Sequence, residues 1–140
     1  MVATQLATLT PPMSTSPLPQ IEDLDLVRMT RANVLILGGP RSTALQVLDE
    51  IRPHLEPVMY WRAGERLRLP IASRRGTLVL DGLDAMTLDD QSRLLEWLGD
   101  TGRATRVVST AKASLLERIE TGMFFEQLYY RLNTLCLDIR

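Results

Sequence analysis

The stretch Asn33-Val34-Leu35-Ile36-Leu37-Gly38-Gly39-Pro40 decides the fold that this sequence predicts. Positions 33–37 predict a strand buried on both faces, because aliphatic residues follow one another without the polar alternation of a half-exposed strand. The glycines and the proline that follow predict a turn. After the turn, apolar residues at positions 44, 48, 51 and 55 recur every three or four residues, which predicts a helix of about three turns.

The rest of the chain repeats this alternation of strands and helices. Further strands are predicted at 57–61, 76–81, 105–110 and 135–139, and helices at 21–29, 87–98, 115–119 and 124–132. Thr87 and Asp90 resemble a capping box at the start of one helix. Since most strands are continuously apolar, we expect helices on both faces of a parallel sheet. The predicted class is α/β, a three-layer sandwich with a parallel five-stranded sheet.

Length and composition indicate one folded domain. The chain has 140 residues, 45% of them hydrophobic and 24% charged, which is typical of a globular domain. Residues 1–19 are rich in Pro, Ser and Thr and predict a flexible tail, so the domain is expected at 20–140. The net charge of −1 argues against direct DNA binding. Neither a membrane span nor a signal peptide is recognisable, so a cytoplasmic protein is expected.

Four motifs carry a resemblance to a known family. They are Gly122-Met123-Phe124-Phe125-Glu126-Gln127-Leu128-Tyr129-Tyr130-Arg131-Leu132-Asn133, Gly76-Thr77-Leu78-Val79-Leu80-Asp81, Gln91-Ser92-Arg93-Leu94-Leu95 and Arg106-Val107-Val108-Ser109-Thr110-Ala111. They are similar, in order and spacing, to G-x-F-R-x-D-L-Y-Y-R-L-N, G-T-L-F-L-D-E, Q-x-x-L-L and R-[VI]-I-A-A-T-N of the NtrC-like AAA+ activators of sigma-54 RNA polymerase. The resemblance implies a P-loop NTPase-like AAA+ core in a bacterial regulator.

The phosphate loop departs from that family's G-E-x-G-T-G-K-E. The corresponding residues are Gly38-Gly39-Pro40-Arg41-Ser42-Thr43-Ala44-Leu45. Ala44 stands at the position of the lysine that would neutralise the terminal phosphates, and Thr43 replaces the glycine before it. Pro40 also removes one N–H donor. By the resemblance, only the first glycine of the loop is kept.

Other positions that would serve hydrolysis are also altered. Asp81 matches the aspartate of the family's D-E pair, but Gly82 replaces the glutamate that would activate water. Ala111 stands at the sensor asparagine, and Phe125 stands at the first candidate arginine finger, so that only Arg131 of that pair matches. Four altered positions together predict a pseudo-ATPase that is not an enzyme.

Two further family features are not recognisable. The interval from Gln46 to Arg75 is too short for the insertion whose G-A-F-T-G-A loop touches the sigma factor. Because the sequence ends at Arg140, directly after the fifth strand, we expect an AAA+ core without the helical lid and without a helix-turn-helix segment. The resemblance therefore predicts a truncated domain that does not activate polymerase in the usual way.

The candidate sites follow from this comparison. A vestigial nucleotide site would comprise Gly38, Gly39, Arg41, Ser42, Thr43 and Asp81. Residues 41–43 could hold an anion at a helix N-terminus, although turn and N-cap roles are the plainer interpretation. Asp81 could bind a metal, but a hydrogen-bonding or capping role is favoured, so no metal and no cofactor are expected.

A second candidate site is an interaction surface. The segment with Phe125, Tyr129, Tyr130 and Arg131 faces the neighbouring subunit in rings of the resembling family, and Tyr and Arg are enriched at interfaces. Leu128, Leu132 and one tyrosine are spaced to pack in the core, so about half of the segment needs no partner.

The sequence also contains a cluster of arginines at Arg62, Arg66, Arg68, Arg74 and Arg75. It is consistent with a patch for an acidic partner or for nucleic acid, or with a solvated loop, since Glu65 interrupts it. The only histidine, His54, lies beside Pro53 near a helix end and is expected to be solvated. Cys136, the only cysteine, is expected to be a buried apolar residue.

The predicted function is a catalytically inactive AAA+-like module that acts through protein–protein interaction in bacterial signalling or transcription control. Its partner would be an AAA+ activator or another signalling protein, or further copies of this chain. The alternative is a sensor that binds ATP or a signalling nucleotide without efficient hydrolysis, with Arg41 in place of the lost lysine.

Overall fold

The computed structural model describes residues 21–71, 73–99, 104–112 and 115–139. The tail predicted at 1–19 lies outside these ranges. The helices are α1 (Ile21–Met29), α2 (Arg41–Ile51), α3 (Leu88–Leu98), α4 (Leu116–Glu120) and α5 (Glu126–Leu132). The strands are β1 (Val34–Leu37), β2 (Val58–Arg62), β3 (Gly76–Asp81), β4 (Thr105–Ala111) and β5 (Leu135–Asp138), and short 3-10 turns occupy Arg52–His54 and Leu83–Ala85.

The five strands form one parallel sheet in the order β2-β3-β4-β1-β5. The predicted fold class and strand number are confirmed, with strand ends within a residue of those expected. The last helix differs more, since α5 begins at Glu126 rather than at 124. Phe124 is buried in the core and Phe125 has the extended backbone of an N-cap, so neither residue continues the helix.

Successive residues of the central strands pack into two different cores. Leu35, Leu78 and Leu80 face the core under α3 and α5. Val34, Ile36 and Val79 face the opposite core under α1 and α2. The continuous apolarity of the strands is therefore explained, because both faces of the sheet are covered. The three-layer arrangement is confirmed.

The buried side chain of Gln91 joins α3 to the turn before α5. Its amide nitrogen donates to the carbonyl oxygens of Met86 and Met123, each at 3.0 Å, and its amide oxygen accepts from the backbone N–H of Phe125 at 3.0 Å. Every polar atom of the amide thus has a partner, which a buried amide requires. Gln91 therefore fixes the start of α5.

Polar groups at the amino end of the sheet are held by Arg106, which is only 4% exposed. Its guanidinium donates to the carbonyl oxygen of Ala32 at 2.8 Å and to that of Val27 at 2.9 Å. Burial, followed by the charge of Arg31, lowers the pKa of Arg106. Arg106 therefore ties α1 and the start of β1 to β4.

The connection from β2 to β3 contains no helix among its described residues, 63–71 and 73–75. Leu67 and Pro70 are buried, and Trp97 Nε1 donates to the Pro70 carbonyl oxygen at 2.8 Å. This irregular segment covers part of the sheet where a crossover helix would usually lie.

Within the described ranges, no helix has the length and apolarity needed to cross a membrane.

Candidate functional site

The turn after β1 contains two consecutive glycines whose backbone conformations favour glycine. Gly38 and Gly39 have φ angles of +89° and +71°, a region that L side chains rarely adopt. A Cβ atom on Gly39 would also lie 3.2 Å from the Ile139 carbonyl oxygen. The chain therefore turns tightly within two residues and enters α2.

The turn and N-cap roles expected for Arg41, Ser42 and Thr43 are wrong. Pro40 is the N-cap, with φ −67° and ψ 152°, and α2 begins at Arg41. The Pro40 carbonyl oxygen accepts from the N–H of Thr43 at 3.0 Å and of Ala44 at 3.3 Å. The fixed φ of proline suits an extended residue before a helix, so residues 41–43 form the first helical turn.

Ser42 and Thr43 are not among the residues that line the pocket at the carboxyl ends of β1, β3 and β4. Ser42 is exposed, and Thr43 is buried at 7% exposure. Ala44, at the position of the family's lysine, is 6% exposed and packs with the core under α2. Of the helix residues in the candidate nucleotide site, Arg41 alone reaches Asp81.

Asp81, the last residue of β3, is bonded through both carboxylate oxygens. Oδ2 accepts from Arg41 Nε at 3.1 Å and from Arg41 Nη2 at 2.9 Å. Oδ1 accepts from the Thr110 hydroxyl at 2.8 Å, and that hydroxyl accepts from the Gly82 N–H at 3.0 Å. The Asp81 side chain is 7% exposed, whereas Arg41 is 43% exposed. Asp81 therefore has the hydrogen-bonding role that the sequence favours.

Gly82, at the position of the family's catalytic glutamate, has a backbone that excludes most side chains. Its φ angle is +95°, and a Cβ atom would lie 3.1 Å from the Cβ of Ala63. An L residue in this left-handed conformation is strained. The site thus lacks both a carboxylate and a backbone suited to one at this position.

A pocket of about 230 Å³ opens at the carboxyl ends of β1, β3 and β4. Gly38, Gly39, Arg41 and Asp81 line it, so the structure brings together four of the six predicted residues. The other lining residues are Ala44, Arg62, Ala63, Gly82, Asp84, Ala85, Thr110, Ala111 and Lys112. Ligands of open parallel sheets usually bind at this end of the strands.

The charges around the pocket act on one another. The hydrogen bonds that Arg41 donates to Asp81, and then the charge of Asp81, raise the pKa of Arg41. Burial raises the pKa of Tyr60, and the charge of Asp81 raises it further, while Arg41, Arg62 and Arg52 oppose this rise. Arg62 Nε lies 3.8 Å from Asp81 Oδ2, which is too long for a hydrogen bond. Arg41 is therefore the principal partner of Asp81.

The candidate interaction surface is separate from this pocket. Among the residues that line the pocket, none belongs to α5. Phe125 is 36% exposed and Tyr130 is 65% exposed, whereas Tyr129 packs partly against the core with Leu128 and Leu132. The rings of Tyr129 and Tyr130 meet edge to face with centroids 5.4 Å apart. The expected division of this helix between core and surface is confirmed.

Arg131, the one match to the arginine-finger pair, is used within this chain. Its Nη1 donates to the carbonyl oxygen of Leu98 at 3.2 Å, at the end of α3. Its own carbonyl oxygen accepts from Asn33 Nδ2 at 2.9 Å. Cations are favourable at helix C-termini, so Arg131 also stabilises the fold of the single chain.

Several residues of the site were not identified from the sequence. Thr110 bonds to Asp81 because the register places β4 beside β3 with these two residues paired. Arg62 and Lys112 line the pocket from the ends of β2 and β4. No local pattern marks them, although the position of Thr110 near the end of a predicted strand was a usable signal. In the described ranges, no group of three or more His, Cys, Asp or Glu residues is arranged to hold a metal ion.

Solved structures of bacterial regulators have the same fold. NtrX from Brucella abortus, solved in complex with ATP, superposes with a TM-score of 0.71 at 18% identity, covering 85% of this chain and 34% of NtrX. The P-loop NTPase domain of a sigma-54 activator from E. coli gives a TM-score of 0.61 at 18% identity, covering 84% of this chain and 89% of that domain. These likenesses concern the fold.

Two regulatory proteins are similar in sequence. The probable regulatory protein HrpS of Pseudomonas savastanoi pv. phaseolicola is 38% identical over 79 residues, which are 49% of this chain and 26% of HrpS. The DNA-binding transcriptional regulator NtrC of Rhizobium meliloti is 38% identical over 75 residues, 46% of this chain and 16% of NtrC. This chain thus matches about a quarter or less of the length of these relatives.

The family match extends over nearly the whole sequence. A family model described as the Sigma-54 interaction domain matches residues 15–140. The resemblance that the four sequence motifs carry is confirmed by this match. This protein therefore belongs to the sigma-54 interaction domain family.

Proposed function

We propose that this protein is a catalytically inactive AAA+-like module that acts by binding other proteins in bacterial transcription control. One observation carries the proposal. The carboxylate of Asp81 would order Mg²⁺ in a working member of the family. Here its Oδ2 accepts hydrogen bonds from Arg41 Nε and Nη2, and its Oδ1 accepts one from the Thr110 hydroxyl. A guanidinium thus lies where a metal and a phosphate would be needed.

The surrounding residues support the same proposal, because they do not fit Mg²⁺·ATP. A phosphate loop offers successive backbone N–H groups and a lysine. Here the two-residue turn at Gly38 and Gly39 leads directly into α2, and Ala44 packs in the core. The left-handed backbone of Gly82 does not suit a catalytic glutamate. On this proposal the site carries out no hydrolysis.

The protein-binding part of the proposal is supported by the exposed aromatic residues at α5. Gln91 holds the turn before α5 through three hydrogen bonds. Phe125 at the N-cap and Tyr130 within α5 are exposed on this fixed element. Exposed aromatic residues on a rigid element are favourable interface anchors. The proposed partner is an AAA+ activator or a signalling protein, or another copy of this chain.

The first test concerns nucleotide. We expect purified protein with Mg²⁺·ATP to release no more phosphate than a blank without protein, and calorimetric titration to detect no micromolar binding of ATP. Binding of ATP that Arg41→Ala abolishes would instead establish a nucleotide sensor. Phosphate release above the blank would show that the site is catalytic, provided that this activity co-elutes with the protein peak from a final purification column.

The second test concerns the partner. Tagged protein is purified from its native host beside the double variant Phe125→Ala/Tyr130→Ala and the control Met29→Ala, which removes an apolar side chain that is 83% exposed on α1. We expect one stoichiometric protein to co-elute with wild type and control but not with the double variant. Light scattering would identify an assembly made of this chain alone. A bare monomer at physiological concentration would contradict the proposal.

A further inference from the structure

The end of β2 and the segment that connects it to β3 carry five arginines, of which only Arg62 lines the pocket beside Asp81. Exposed arginines occur at positions 62, 66, 68, 74 and 75. Glu65 is the only acidic residue from 62 to 75, and its carboxylate accepts from the backbone N–H of Arg62 at 2.9 Å. Within the described part of the chain, Arg66 and Arg68 form no ion pair. The whole chain has a net charge of −1, so this positive charge is local.

Arg66 and Arg68 border a groove of about 490 Å³ beside β2, together with Glu65 and Tyr60. Apolar side chains of Met59, Trp61 and Leu78 contribute to its lining. Met59 and Leu78 are register partners on adjacent strands, so both point to the same face of the sheet. The groove thus combines an apolar floor with a wall of two arginines and one glutamate, whose net charge is positive.

The outer side of β2 also presents backbone groups that none of the described strands pairs with. β2 is the edge of the sheet. The Pro57 carbonyl oxygen accepts from Thr77 N–H, and Ala63 N–H donates to the Asp81 carbonyl oxygen, so residues 57 and 63 point toward β3. Because direction alternates along a strand, Val58 and Tyr60 point their N–H and C=O groups outward. An edge of this kind is a template for another strand.

We propose that this outer edge of β2 binds an extended, acidic segment of the protein partner by strand addition. The inference rests on the proposed function, since it specifies the chemistry of that partner. Backbone groups of Val58 and Tyr60 would pair with the segment, while alternate acidic side chains meet Arg66 and Arg68. Apolar side chains between them would point to the opposite face of the sheet, beside Val58 and the exposed ring of Tyr60.

A peptide fits this edge better than a nucleic acid does. Nucleic acid would use the arginines through phosphate contacts, but it has no use for the outward N–H and C=O groups of Val58 and Tyr60. Single strands are also bound by stacking on exposed aromatic faces. Trp61 is only 3% exposed and donates its Nε1 hydrogen to the Glu65 carbonyl oxygen, so its ring is not available for stacking. Of the aromatic residues that line the groove, Tyr60 alone is exposed, at 43%, so the groove offers a single stacking surface rather than a series.

The test uses a blocked peptide of alternating glutamate and valine, with a control peptide in which glutamine replaces every glutamate. Amide chemical shifts of the whole labelled chain are followed during titration, together with hydrogen exchange. We expect shifts in β2 and residues 65–68, slower exchange of the Val58 and Tyr60 amides, and weaker binding of the glutamine peptide. The backbone protection distinguishes strand addition from contact with the arginines alone.

Two double variants, each of which removes two arginine charges, are compared for their effect on peptide binding. Arg66→Gln/Arg68→Gln should weaken binding of the acidic peptide about fivefold, as expected for two exposed charge pairs. Arg28→Gln/Arg93→Gln, on α1 and α3, should change it less than about twofold. Thermal melting checks that each variant is folded. Equal weakening by both pairs would show a general charge effect and overturn the proposal.

Other outcomes would also overturn it. These are no binding at millimolar peptide, equal binding of the glutamine peptide, unprotected Val58 and Tyr60 amides, or tighter binding of single-stranded DNA in the same assay. The proposed function has a separate readout in the co-elution that depends on Phe125 and Tyr130. If that co-elution persists while the peptide fails, only the acidic-segment proposal is lost.

Discussion

At the carboxyl end of the sheet, Arg41 pairs with a buried carboxylate, whereas at the amino end Arg106 bonds to backbone carbonyl oxygens. Arg41 is 43% exposed in its side chain and keeps access to the pocket. Arg106 is 4% exposed and joins α1 and the start of β1 to β4. The amino end thus uses its arginine to hold the fold, while the carboxyl end uses its arginine to neutralise Asp81. Four predictions, from the largest expected effect to the smallest, test this difference.

The largest effect is expected at the amino end. Arg106→Ala should lower the free energy of unfolding by about 3 kcal/mol, because two carbonyl oxygens in a buried region lose their donor. Urea unfolding measures the change. The control is Arg31→Ala, which removes an exposed arginine that donates to the Ala104 carbonyl oxygen. Equal effects of the two variants would show that burial of Arg106 contributes nothing.

The next effect tests the buried part of the Asp81 cluster. Thr110→Val keeps the volume but removes the hydroxyl that donates to Asp81 and accepts from Gly82. We expect a loss of about 2 kcal/mol, since hydrogen bonds to charged groups contribute more than neutral ones. Thr121→Val, at an exposed hydroxyl that bonds to helix carbonyl oxygens, should cost less than about 0.5 kcal/mol. Similar losses in urea unfolding would contradict this ranking.

A smaller effect tests the backbone at the glutamate position. Gly82→Ala should cost about 1 kcal/mol, because a side chain is disfavoured at positive φ, here +95°. Gly99→Ala is the matched control, since Gly99 has φ −75°. It should be neutral or slightly stabilising by the same unfolding measurement. If Gly82→Ala is as stable as Gly99→Ala, the backbone argument against a glutamate at 82 fails.

The smallest effect concerns the electrostatics between Asp81 and Tyr60. Burial and the charge of Asp81 raise the pKa of Tyr60 in the folded protein. Stability from this residue is therefore present below about pH 10, the unfolded pKa, and is lost as the pH rises through the folded pKa. Asp81→Asn should lower the Tyr60 pKa, because a negative charge is removed and Arg41 no longer has it as a partner. NMR titration of labelled tyrosine measures this, and an unchanged pKa would refute the coupling.

The sequence predicts the strands well because burial on both faces leaves a local record. Runs such as 34–37 and 78–80 are apolar throughout, and each lies in a strand with both faces covered. Gly38, Gly76 and Gly82, which border these runs, have positive φ angles. Such constraints act within a few residues and are therefore readable.

The candidate site was only partly predictable. The sequence identifies Gly38, Gly39 and Asp81 by position in their motifs, but it misplaces residues 41–43 in a turn. The helix starts earlier because the Pro40 carbonyl oxygen accepts the first helical hydrogen bonds. The partners of Asp81 are 40 and 29 positions away along the chain, and no local pattern encodes such a pairing.

The sequence by itself determined the α/β class, the five strands and the motifs that carry the family membership, because periodicity and turn residues express burial locally. Only the tertiary structure decided that Arg41 and Thr110 hold Asp81, that Gln91 fixes the start of α5 and that β2 is the outermost of the described strands. Those contacts depend on strand order and register. Both are set when segments far apart in the sequence pair and bury their apolar side chains together. Physical proximity across the sheet, rather than spacing along the chain, sets the chemistry of this protein.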